Sequence, residues 1–244
     1  MERVGMARGI GLWVGIRLVA ALVLYGSSSL WAAQPFAVPD TMAQRTMACT
    51  VCHGKDGRAT NAGFFPRIAG KPQGYLYQQL LNFRDGRRYH SLMSPLLVNL
   101  SDDYLQAMAA YFAALDLPYP PPKIPVPTAA VTARAEALVR RGDASRSLPA
   151  CVSCHGSALM GVQPATPGLL GLPRDYVNAQ LGAWRTGQRQ ALAPDCMHTI
   201  AQRLDLTEVS ALSEWLAAQP LPASTRPESA GSRKPVLDCG GAAP

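Results

Sequence analysis

Apolar residues recur at helical spacing along this chain, and no segment alternates in the period-two manner of a half-buried strand. Tyr75, Leu76, Gln79, Leu80 and Phe83 share one face of a helix that Gly86 ends. Ser101 is placed to cap a second helix carrying Leu105, Met108, Ala109, Phe112 and Leu115. Asp205, with Glu208 three residues later, reads as a capping box ahead of Val209, Leu212 and Leu216. The expectation is an all-α fold.

The first stretch is different. Arg3 and Arg8 precede an apolar run, strongest over Leu18 to Leu24, and small residues lead to Ala32–Ala33. This pattern predicts an export signal over 1–33 and a periplasmic location of the Gram-negative type. An uncleaved membrane anchor is the competing reading; Arg17 interrupts the run, which is far shorter than the ~20 residues of a span.

The pattern is also duplicated. "PRIAGKPQGYLYQQLLNFRDGRR" from Pro66 lies over "PGLLGLPRDYVNAQLGAWRTGQR" from Pro167. Gly70/Gly171, Tyr75/Tyr176, Gln79/Gln180, Leu80/Leu181, Phe83/Trp184, Arg84/Arg185 and Arg88/Arg189 coincide. Farther on, Met93 matches Met197, Leu100 matches Leu204 and Tyr111 matches Trp215. Two copies are too few for a solenoid and read as tandem domains. We place them at 34–117 and 128–221, joined by a proline-rich segment, 118–127, whose prolines favour an extended spacer that sets their separation. After Pro220 the chain turns to Pro, Ser, Gly and Ala, and 222–244 is expected to be a flexible tail.

Composition sharpens this picture. Aromatics make up only 7% of the 244 residues, and Gly and Pro number 21 each, thin material for two self-sufficient cores. A large apolar group would complete them. Of the formal charge of +7, residues 1–33 account for +2 through Arg3, Arg8 and Arg17 against Glu2. The remainder is spread out with no Lys/Arg block, which gives no support to a nucleic-acid partner.

Four of the six cysteines fall in "CTVCHG", Cys49 to Gly54, and "CVSCHG", Cys151 to Gly156. A zinc site usually sets its two cysteine pairs some 15–20 residues apart, whereas these lie in separate copies; a thioredoxin-like dithiol needs a βαβ setting, which is missing. The remaining chemistry is covalent haem attachment, one haem c group per copy. Cys49 and Cys52, and Cys151 and Cys154, would bond the porphyrin vinyls, and His53 and His155 would lie beneath the iron. Met93 and Met197, in register ahead of each last helix, are the candidate sixth ligands; Met42, Met47, Met108 and Met160 read as core filler. His90 and His198 are rivals without a counterpart in the other copy. Pro66 and Pro167 read equally as turn prolines or as carbonyl acceptors for the proximal imidazoles. Arg84, Arg88, Arg185 and Arg189 read equally as partners of haem propionates or as a solvated helix face.

These residues resemble the cytochrome c4 family of di-haem class I c-type cytochromes over roughly 36 to 220. The features that carry the resemblance are "CTVCHGKDG", "FPRIAGKPQGYLYQQLLNFRDGRR" and "MSPLLVNLSDDYLQAMAAYFAAL", with "CVSCHG" and "MHTIAQRLDLTEVSALSEWLAAQP" in the second copy. The resemblance implies two all-α cytochrome c domains, each wrapped around one haem, with His/Met ligation at both. It implies an electron carrier between a cytochrome bc1-type or dehydrogenase donor and a terminal oxidase, rather than an enzyme, with membrane contact only through partners or an uncleaved N-terminus. A di-haem enzyme, thiosulfate dehydrogenase-like or peroxidase-like, is the alternative, and a cytochrome subunit of a membrane complex is a third. One departure is Cys196, which stands beside Met197 where the first copy has Leu92. Paired with Cys239 it would form a disulfide; as a thiolate ligand to iron it would favour the enzyme.

Overall fold

In the computed structural model, residues 37–60, 63–120 and 126–242 are described, and from Asp40 onward they form one compact unit. The expected signal, 1–33, lies outside them, as do 121–125 of the proline-rich segment. No helix among the described residues is long and apolar enough to cross a membrane.

The first copy is built from α1 (Met42–Arg45), α2 (Met47–His53), α3 (Gln73–Arg84), α4 (Met93–Leu97) and α5 (Asp102–Ala114). The second contains α6 (Ala129–Arg140), α7 (Cys151–His155), α8 (Arg174–Arg185), α9 (Cys196–Arg203) and α10 (Leu206–Ala218). The caps lie where the sequence places them. Ser101 Oγ accepts from the Tyr104 amide at 3.3 Å, and Asp205 and Glu208 make both bonds of a capping box. The all-α expectation needs one small amendment: Gly161–Val162 and Thr166–Pro167 pair as antiparallel strands of two residues each. A pairing that short leaves no alternation to read.

The cores differ between copies. In the second, one continuous cluster runs from Ala135, Leu138 and Val139 on α6 to Trp215 and Leu216 on α10. In the first there are two small clusters, Leu76–Ala109–Phe112 and Leu97–Leu105–Met108, and Cys49, Tyr77 and Leu80 border both.

The copies touch directly instead of being held apart by the proline-rich segment. Matched side chains on and just after α3 and α8 meet reciprocally, and Arg88 and Arg189 form an antiparallel backbone bridge. Arg88 donates to Gln79 of its own copy at 2.9 Å and to Gln180 across the joint at 2.7 Å; Arg189 donates to Gln180 at 2.7 Å and to Gln79 at 3.0 Å. Tyr176 Oη accepts from Arg88 as well. The Gln190 amide bonds the Arg87 carbonyl at 2.7 Å, and the Gly74 amide bonds Pro164 at 2.9 Å.

The segment after Pro220 is fastened rather than free. Cys196 and Cys239 form a disulfide. Glu228 pairs with Arg233 at 2.7 Å and accepts from the Ser157 amide and hydroxyl, while Arg226 pairs with Asp116 of the first copy. Composition misled here because the ties are long-range polar and covalent contacts, which Ser, Gly and Pro content does not report.

Replacing both Cys196 and Cys239 by serine should lower unfolding stability by about 2–4 kcal/mol, the loop-closure effect of a 43-residue separation, in guanidinium titrations. In a Gln79→Ala/Gln180→Ala cycle, a coupling energy of about 0.5–3 kcal/mol is expected, because each amide serves both guanidiniums; simple additivity would mean the joint does not act as a unit.

Candidate functional site

Each Cys-x-x-Cys-His motif is a short helix that stops at its histidine. In α2 and α7 the two cysteines are three positions apart and share a face. Gly54 (φ +76°) and Gly156 (φ +88°) then turn the chain away; a Cβ at Gly54 would run into the Ala59 carbonyl. The left-handed backbone at both positions is why each motif reads "CHG".

The histidines are buried, and each ring holds a proline carbonyl through Nδ1: His53 to Pro66 at 2.8 Å, His155 to Pro167 at 2.7 Å. Of the two readings of these prolines, the carbonyl acceptor is the one observed. Nδ1–H donation fixes the tautomer and leaves Nε2 as a bare lone pair, the form a metal takes. Burial pulls both imidazoles below the usual histidine range, against the pull of the carbonyls; for His155 the charge of Lys71 adds to the lowering.

The four motif cysteines are free thiols, half-buried. Burial raises the thiols of Cys49 and Cys154, and that of Cys151 to about 11. A redox dithiol needs the opposite shift, so thioredoxin-like exchange finds no support here. Among the described residues no cluster of three or more His, Cys, Asp or Glu side chains is placed to hold a metal ion.

Met93 begins α4 and packs on the Leu97–Leu105–Met108 cluster, which Cys49 also borders. Met197, on α9, packs on the second core, which Cys151 borders. Each methionine thus lies against the same cluster as an attachment cysteine of its own copy. The rival histidines are engaged elsewhere. His90 is exposed and its ring accepts from the Leu92 amide; His198 donates to the Trp184 carbonyl at 3.0 Å. Cys196 is taken up by its disulfide and is not a free thiolate.

The four arginines divide into two pairs. Arg84 reaches the Leu100 carbonyl at 3.1 Å and pairs with Asp85 and Asp102. Arg185 reaches the Ala201 carbonyl at 2.9 Å and that of Leu204. These two staple α3 and α8 to the loop before each last helix, a role that neither sequence reading gave them. Arg88 and Arg189 sit in the joint, stacked 4.4 Å over Phe83 and 3.8 Å over Trp184. Arg189 is 4% exposed, and burial, then the nearby Arg88, draws it below the usual arginine range. Neither guanidinium belongs to any ion pair among the described residues. Beside them, Trp184 Nε1 is buried with no hydrogen-bond partner. An orphaned indole N–H next to unneutralised guanidiniums fits an acidic group that remains to be supplied, as the propionates of haem would supply it.

Lys71 was not singled out from sequence. It is 4% exposed and donates to the Gly168 carbonyl in the other copy at 3.2 Å; burial, with Arg67 adding to it, lowers its pKa to about 8, so the amine stays charged at neutral pH. The one available signal was its mismatch with Leu172 in the repeat.

Comparison with known proteins bears on these sites. The chain is 37% identical over 199 residues to a thiosulfate dehydrogenase electron acceptor of Thiomonas intermedia, covering 82% of this chain and 87% of that one. It is 34% identical over 203 residues to a cytochrome c4 of Pseudomonas aeruginosa, covering 82% and 96%. Among solved structures, the thiosulfate dehydrogenase TsdBA of Marichromatium purpuratum matches with a TM-score of 0.64 at 37% identity, over 74% of this chain but 39% of that longer one. No protein-family model matches the chain.

Trp184→Phe keeps the ring and removes the orphaned N–H. In the haem-loaded protein it should destabilise by about 1.5–3 kcal/mol, the worth of a hydrogen bond to a charged group, as read by denaturant unfolding. No loss would mean the indole has no acidic partner.

Proposed function

The chain belongs to the cytochrome c4 family of di-haem class I c-type cytochromes and carries two covalently bound haem c groups in an electron-transfer role; from this we propose that it is an exported electron carrier that takes electrons from a thiosulfate-oxidising dehydrogenase and passes them towards a terminal oxidase. Bound haem supplies a reversible one-electron couple at iron. The chain's residues fasten, orient and shield it. Cys49 and Cys52 attach the first group, Cys151 and Cys154 the second. His53 and His155 would ligate through Nε2, held in orientation by their Nδ1 bonds to the Pro66 and Pro167 carbonyls. Met93 and Met197 would supply the thioether ligands, and a thioether ligand raises the potential of haem iron. Arg88, Arg189 and Trp184 take up propionates.

The observation that carries the carrier reading over an enzyme is the fate of Cys196. Its sulfur is bonded to Cys239, so it is not available as a thiolate ligand, which supports Met197 as the residue that would offer sulfur to the second iron. With His and Met both engaged at each haem, the iron would have no position to offer a substrate. The proposed donor rests on relatives whose names describe an acceptor of electrons from thiosulfate dehydrogenase. Net charge is consistent with brief encounters: the formal charge without residues 1–33 falls to roughly +1 once four ionised propionates are counted, which favours weak steering over tight complexes.

The test begins with the purified exported protein. Its mass should exceed that of the polypeptide by two haems, and its oxidised spectrum should show the far-red methionine–iron(III) band with no high-spin fraction. Mixed with a thiosulfate dehydrogenase and thiosulfate, both haems should be reduced, at a rate that falls as ionic strength rises. Reduction by an unrelated dehydrogenase but not by that enzyme would discard the proposed donor; an apoprotein mass would discard the whole assignment.

A further inference from the structure

Lys71 belongs to the first copy by sequence and to the second by its surroundings. Its ammonium donates to the Gly168 carbonyl, one residue past the Pro167 carbonyl that holds His155. The contact has little slack. The Gly74 amide, three residues along, bonds Pro164 in the same strip, and a Cβ at Gly74 would stand 2.9 Å from the Pro164 oxygen. A Cβ at Gly168 would stand 2.6 Å from the Met160 backbone. Gly74 therefore lets α3 close on the strip, while Gly168 lets the strip fold tightly on Met160 of its own copy, and together they fix where the amine lies. No ion pair among the described residues includes Lys71, and the nearby Arg67 carries the same sign. The matched position in the second copy is Leu172, so the repeat supplies no equivalent lysine to the first site.

We infer that Lys71 is a positioning and tuning residue for the second haem: its charge, delivered across the joint, raises that haem's affinity for an electron above that of the first. Reduction adds one negative charge to the iron centre, and a fixed positive charge close by favours the reduced form. Burial removes most of the screening that a surface lysine would suffer. Electrons entering the pair then come to rest beside His155. The inference depends on the proposed attachment of haem at Cys151, Cys154 and His155.

Two variants test it by spectroelectrochemical titration of the holoprotein, with the second haem's wave identified by its displacement in Met197→His. Lys71→Met keeps an unbranched apolar stem and removes both charge and donor; Lys71→Gln keeps a donor for Gly168 and removes only the charge. In both, the equilibrium for sharing an electron should move at least tenfold towards the first haem, 59 mV for a one-electron couple, with the first haem's own midpoint moving by less than half of that. Unchanged midpoints in both variants, equal shifts of both haems, or a Lys71→Gln protein that titrates like the wild type would each overturn the inference. A wild-type protein with haem mass at the first motif alone would instead overturn the attachment reading, and this inference with it.

Discussion

Two guanidiniums in the joint, Arg189 buried and Arg88 half-buried, share two glutamines and have no carboxylate paired to either among the described residues, and this sets the terms for the molecule. Burying such charges is unfavourable unless something anionic offsets it. The reciprocal Arg88–Gln79–Gln180–Arg189 arrangement satisfies the hydrogen bonding but not the charge. On the proposed reading, the acidic edges of the two haems meet this need, so cofactor attachment and the docking of the copies stabilise each other. The joint also fixes the placement of the two sites in a way a proline-rich tether does not, and electron exchange between them is then a property of the folded chain.

The repeat made much of this legible and hid some of it. Gln79/Gln180, Phe83/Trp184 and Arg88/Arg189 stood out as matches, yet matched positions serve equally a function inside each copy and a contact between copies. Arg84/Arg185 turned out to be the first kind and Arg88/Arg189 the second. Only the relative placement of α3 and α8 separates them. The caps at Ser101 and Asp205 were readable because capping is local chemistry. Lys71 and Gly74 escaped notice because a search for likeness passes over mismatches, and Leu172 and Asp175 are what face them in the alignment. The Ala-rich helix α6 was also missed. Ala135, Leu138 and Val139 have helical spacing, but small side chains give a weak periodic signal, and their burial depends on α10.

The copies are alike in pattern and unlike in construction. The second has a continuous core, a covalent tie beside Met197, and Glu228 and Arg233 set against its motif. The first has a divided core and leaves Val51 of its motif 80% exposed. Duplication followed by unequal elaboration gives two motifs of the same chemistry in different surroundings.

The six cysteines have two opposite fates. Four must still be thiols when haem arrives, because a thioether cannot form from an oxidised pair, while Cys196 and Cys239 must lose their hydrogens. The motif thiols lie within one helical turn of each other, where mutual oxidation is easy, whereas the other two are brought together only by the folded tail. The two sets therefore need opposite redox treatment in one chain: the motif thiols kept reduced until they are alkylated, the outlying pair oxidised where the tail seats it.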